Sequence, residues 1–199
     1  MSLLVDWGVV ATLPGDLPLD DILQVGDALL AAPADGVLFT TDGGDWATAV
    51  SDLVQRAKTH MRVGVSGRGT PATIRLAAEA GAQFLVTPVF DLAALTACRH
   101  HNLLYLPYLS DEAELQEAFL DGAAAGVVAD LALVQRAKQL EENGVLLVAG
   151  KASDTAGSDF LQAGASGLRL SDALFTGPEQ KMADLITRVR TFRQQWLEP

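Results

Sequence analysis

Several short apolar runs in the chain end in a charge or a hydroxyl, and these residues could do chemistry. Lys151 follows the run Val145–Ala149 and is the candidate catalytic residue. As an ordinary ammonium it would bind a carboxylate; desolvated, with its pKa lowered, it would be an amine nucleophile for a carbonyl. The plain alternative is a solvated lysine in the loop that follows. Asp42, Asp130 and Asp172 end three other runs. Carboxylates there would flank Lys151, hold a divalent cation through hard oxygen ligands, or simply cap the next helix. Thr41, Ser66, Thr87 and Ser171 offer hydroxyls, Arg68 would receive an anionic group, and Pro88 and Tyr108 would shape the opening. Arg169 lies inside a run, so it points inward against Asp130 or Asp172, or outward with its charge snorkelling between helices.

The elements that must position these residues alternate without a lapse. Strand candidates cover 8–13, 36–41, 62–66, 84–87, 103–107, 126–129, 145–149 and 167–170; helical segments cover 19–32, 46–58, 71–80, 92–100, 111–121, 132–142, 158–163 and 178–197. Thr70 before Pro71, Asp91 and Ser110 read as N-caps. Gly81, Gly122 and Gly164 recur 41 and 42 residues apart, each in a helix-ending context, with Gly36 as a looser earlier member. Glycine at these points suits a left-handed C-cap, so the recurrence marks two βα units per period. Eight βα units with strands apolar enough for burial on both faces predict a compact (βα)8 TIM barrel, one domain over 1–199; an open doubly wound sheet is the alternative. In the barrel, the site gathers at the C-terminal ends of the strands, where the residues above fall.

Composition narrows the partners. Fourteen Lys and Arg against 25 Asp and Glu give a formal net charge of −11, with no compensating basic cluster. That charge repels phosphate backbones and anionic lipid, so neither nucleic acid nor membrane is expected as a partner. Cys98 is the single cysteine, which excludes an intrachain disulfide and a cysteine-rich zinc site. Aspartates without histidines beside them are a weak signal for a metal, so neither a metal nor a cofactor is expected. The opening residues lack a basic segment and reach Asp6 at once, which favours a cytoplasmic protein over an exported one. His60, His100 and His101 precede strands three and five, at the end of a barrel away from its site.

The stretch from Val63-Gly64-Val65 to Glu79-Ala80-Gly81-Ala82-Gln83-Phe84, the Thr87-Pro88 pair, and Leu106-Pro107 followed by Ser110-Asp111-Glu112 resemble the 2-keto-3-deoxy-6-phosphogluconate (KDPG) and 4-hydroxy-2-oxoglutarate aldolases. The resemblance spans about 8 to 176 and is clearest over 62–122. It implies a compact aldolase-type barrel, a homo-oligomer (usually a trimer), and cleavage of 2-keto-3-deoxy acids through a Schiff base on a strand-six lysine. With Gly122 as anchor that lysine falls on Val127, and no lysine occurs between Lys58 and Lys138. A Schiff base needs a primary amine. The family's acid/base glutamate falls within Phe39-Thr40-Thr41, with Asp42 the nearest acid. Its glycine-rich phosphate turns become Ala149-Gly150-Lys151 and Leu170-Ser171-Asp172, and Asp172 sets a negative charge where the phosphate would sit. Tyr108 stands where the family tends to keep glycine and would partly fill the pocket.

The expectation is therefore a diverged barrel without Schiff-base activity that binds a small carboxylate-bearing metabolite or serves as a non-catalytic partner. The rival is an active lyase using Lys151 or an aspartate-held metal. With Asp42, Asp130 and Asp172 at one mouth, the site should disfavour a phosphate dianion.

Overall fold

A computed structural model describes residues 7–14, 17–43, 45–140, 145–149, 156–170 and 181–196. Among them eight strands alternate with eight helices: β1 (Gly8–Leu13), α1 (Leu19–Ala31), β2 (Gly36–Thr40), α2 (Trp46–Ala57), β3 (Arg62–Ser66), α3 (Pro71–Glu79), β4 (Phe84–Thr87), α4 (Leu92–His100), β5 (Leu104–Pro107), α5 (Glu112–Leu120), β6 (Ala125–Val128), α6 (Leu131–Leu140), β7 (Val145–Ala149), α7 (Ala156–Gln162), β8 (Gly167–Leu170) and α8 (Met182–Trp196). All strand pairs are parallel, in the order β5-β4-β3-β2-β1-β8-β7-β6. Each strand lies beside its sequence neighbours and β8 lies beside β1. A doubly wound sheet would instead reverse its order at a switch point. The two end strands meet at one bridge between Tyr108 and Val127, where the Leu109 N–H donates to the Val127 carbonyl at 2.9 Å.

Local sequence explains most boundaries. Thr70 accepts from the Thr73 N–H at 3.2 Å with Pro71 at the first helical position, and Asp91 accepts from the Ala93 N–H at 2.8 Å. Before α5 the cap is Asp111, which accepts from the Glu114 N–H at 2.9 Å; Ser110 instead donates its own N–H and hydroxyl to the Glu114 carboxylate. The expectation of Ser110 as cap is thus one residue out, because the returning glutamate of a capping box engages Ser110 while the aspartate holds the helix end. Gly81, Gly122 and Gly164 have φ of 84°, 90° and 103°, as a left-handed helix ending requires. Gly36 does not share this role: it opens β2.

The strands are apolar on both faces, and two clusters result. The larger packs the sheet against the helices and includes Leu13, Phe39, Leu53, Ile74, Leu85, Leu115 and Leu185. The smaller lies on the other face and comprises Trp7, Val10, Leu38, Phe84, Val86, Leu106, Ala125 and Val127. Trp7 meets Phe84 edge to face at 4.9 Å, and the Arg62 guanidinium sits over the Trp7 ring at 4.9 Å. The Phe84 ring covers Gly64 so closely that a Cβ there would overlap it. Aromatic bulk therefore fills this face toward the strand N-termini, and space remains toward their C-termini.

Among the described residues no helix is long and apolar enough to cross a membrane. His60, His100 and His101 are exposed, as expected of surface residues.

Candidate functional site

A cavity of about 460 Å³ opens at the C-terminal ends of the strands. Among the described residues, four consecutive strands supply most of its wall from their last residues or the turns that follow: Thr40 and Asp42 of β2 and its turn, Ser66 and Arg68 of β3 and its turn, Thr87 and Pro88 of β4 and its turn, and Tyr108 after β5. The ladder continues past the strands to hold this rim. The Thr41 N–H donates to the Ser66 carbonyl, Gly67 to Val86, and Tyr108 to Thr87, at 2.8 to 3.0 Å. Thr40 and Ser66 are register partners, so two hydroxyl residues stand side by side on adjacent strands.

Arg169 reaches the cavity from β8. Alternation within the strand turns its neighbours Leu168 and Leu170 into the helix-facing core and leaves Arg169 on the cavity side. Its Nε–H donates to Thr12 Oγ1 of β1 at 3.1 Å. Burial draws its pKa below the usual guanidinium range, opposed by the nearby Tyr108. No ion pair joins Arg169 to a carboxylate among the described residues. The inward orientation is the one realised, with Thr12 as its partner rather than Asp130. Arg68 is exposed at the rim, between Gly67 and Gly69.

The anticipated convergence of carboxylates does not occur among the described residues. Asp42 lines the cavity, but Asp130 is exposed and its carboxylate accepts from the Ala132 N–H at 2.7 Å, capping α6. The described lining carries two guanidinium groups against one carboxylate, so its balance is cationic and not anionic. Lys151, Ser171 and Asp172 lie outside the described residues. Among the described residues no group of three His, Cys, Asp or Glu side chains assembles as a metal site.

Two other candidates, Thr87 and Thr41, make contacts that hold the rim. Thr87 is buried, with Oγ1 2.8 Å from the Val89 carbonyl and 3.0 Å from the Tyr105 hydroxyl. The Tyr105 hydroxyl in turn accepts from the Asp91 N–H at 3.0 Å, and burial raises its pKa. This network pins the 87–91 turn that presents Pro88 to the cavity. Thr41 packs its hydroxyl against Gly67 and does not line the cavity. The Tyr105 network escapes a reading of the sequence because β5 is apolar throughout, with no pattern to separate a tyrosine that bonds a turn from one that merely fills space.

Val127 belongs to the inner cluster with Val10, Leu38, Phe84, Val86 and Leu106, is fully buried, and is not among the described residues of the cavity wall. No lysine lines the cavity among the described residues.

The fold corresponds to that of solved KDPG-aldolase structures. A native KDPGal structure superposes with a TM-score of 0.88 at 18% identity, covering 100% of this chain and 98% of that one. The KDPG aldolase of Zymomonas mobilis ATCC 29191 gives 0.80 at 13% identity, covering 94% and 93%. Thiamine phosphate pyrophosphorylase from Pyrococcus furiosus gives 0.76 at 12% identity, covering 99% and 98%. The chain therefore has a KDPG-aldolase-like α/β fold, and the third likeness shows that this fold also carries other chemistry. No protein-family profile matches the chain. No curated protein matches it either.

Proposed function

We propose that the chain is a diverged, closed (βα)8 barrel that binds a small carboxylate-bearing metabolite in the cavity at its strand C-termini and has no Schiff-base aldolase activity. The observation that carries this reading is Arg169: a largely buried guanidinium on the cavity wall whose hydrogen bond among the described residues goes to a neutral hydroxyl, Thr12. A buried cation is costly without a counter-charge. A ligand carboxylate supplies one, and its two oxygens match the paired donors of a guanidinium.

The absence of Schiff-base chemistry rests on Val127, a buried alkyl group where the resemblance calls for the amine. Incubation with pyruvate and borohydride followed by intact mass tests it. No adduct is expected; an adduct on Lys151 would restore the lyase reading. A thermal-shift panel of small carboxylates tests the binding half, since a ligand at a hundred times its Kd stabilises by about 2.7 kcal/mol.

The same reading places a homo-oligomer in the cytoplasm. Support for association comes from α5 and α6, where Leu120 is 87% exposed beside a groove of about 360 Å³ lined by Phe119 and Leu140. Apolar surface of this kind marks contacts. Light scattering should give a mass above the 21.0 kDa of one chain; a strict monomer at high micromolar concentration removes this part.

A further inference from the structure

The charges on the described lining point to more than one polar group on the ligand, and we infer that it is an acidic α-amino acid. The inference rests on the reading of the cavity as a carboxylate site and names its ligand class. Three charged side chains line the cavity among the described residues: Arg169 on the wall, Arg68 at the rim and Asp42 at the rim. A monocarboxylate answers Arg169 and engages neither rim charge. A plain dicarboxylate answers both guanidinium groups but brings its negative charge toward Asp42. An amino-dicarboxylate answers all three, with one carboxylate on Arg169, the other on Arg68 and the ammonium on Asp42. Its net charge of −1 also complements the +1 carried by the described lining residues.

The uncharged walls agree. Thr40 and Ser66 are register partners on the cavity wall, next to the β2 turn that carries Asp42 and the β3 turn that carries Arg68, so the wall between the rim charges is polar. Val86 and Pro88 offer an apolar side to the methylene groups. The volume, about 460 Å³, sits low in the range of small-molecule sites, roughly 300–1,000 Å³, as a compact metabolite requires.

Calorimetric titration of the full chain with L-glutamate and glutarate, and with L-aspartate and succinate, isolates the ammonium, because each pair shares its carbon chain. At least one amino acid should bind about tenfold more tightly than its amine-free partner, the size of a charge-assisted hydrogen bond. Asp42→Asn should abolish that preference while leaving dicarboxylate binding equal or tighter. Equal affinity for amino acid and dicarboxylate, with both dependent on Arg169, would overturn the ligand class and leave the carboxylate reading intact. A preference that survives Asp42→Asn would overturn the role given to Asp42. No binding by any member, together with none by monocarboxylates, would overturn the cavity reading itself.

Discussion

Arg169 and Thr12 face one another across the β8–β1 seam, with the guanidinium Nε–H donating to the threonine hydroxyl at 3.1 Å. With Nε engaged, a ligand carboxylate would be met by the two terminal nitrogens, the end-on geometry of a guanidinium–carboxylate pair.

Thr12 is therefore a positioning residue. Thr12→Val keeps the volume and removes the acceptor, and should weaken carboxylate binding about three- to tenfold, the scale of one hydrogen bond. Thr12→Ser should restore most of it. Titration of the two variants checks this, and equal weakening by both would point to packing instead.

Gly64 yields a stability prediction. Gly64→Ala forces the Phe84 ring away from Trp7 and should destabilise by about 1–3 kcal/mol, as overpacked cores do. Urea denaturation with an unchanged m-value would confirm that the loss lies in the folded state.

The chain's two ends are tied through Asp35, whose carboxylate accepts from the Val9 N–H at 2.9 Å and pairs with Arg193 of α8. Asp35→Ala removes both interactions and leaves the Val9 donor without its partner, at a cost of about 2 kcal/mol. Arg193→Ala removes only the pair and should cost less. Reversal of that order in chemical denaturation would contradict this arrangement.

Cys98 is fully buried, and burial pushes its thiol from the ordinary 9.0 up to about 12. The folded state thus favours the neutral thiol. Its contribution to stability is complete below pH 9.0 and is lost as the pH rises toward about 12, because the unfolded chain ionises first. Tyr105, also raised by burial, acts in the same alkaline direction. Thiol labelling at pH 8 should be slow in the native protein and rapid in denaturant; prompt native labelling would contradict the burial.

Much of the fold is legible in the chain because its signals are local. Short β-branched runs, the Thr70 and Asp91 caps, and the three helix-ending glycines each declare an element within a few residues. The site is less legible. β8 is four residues long and apolar on both sides of Arg169, so its phase is invisible until β1 lies beside it. Asp42 and Asp130 look alike in sequence, both following strands. Only the local turn decides that one lines the cavity while the other folds back on the N-terminus of α6.

Calorimetry on Arg169→Met shows whether Arg169 receives a ligand carboxylate. Methionine keeps the apolar stem and removes the charge. Small carboxylates that bind the parent protein should lose at least about tenfold in affinity, the scale of a charged hydrogen bond, while the circular dichroism spectrum stays unchanged. Undiminished binding by a folded Arg169→Met variant would contradict the account.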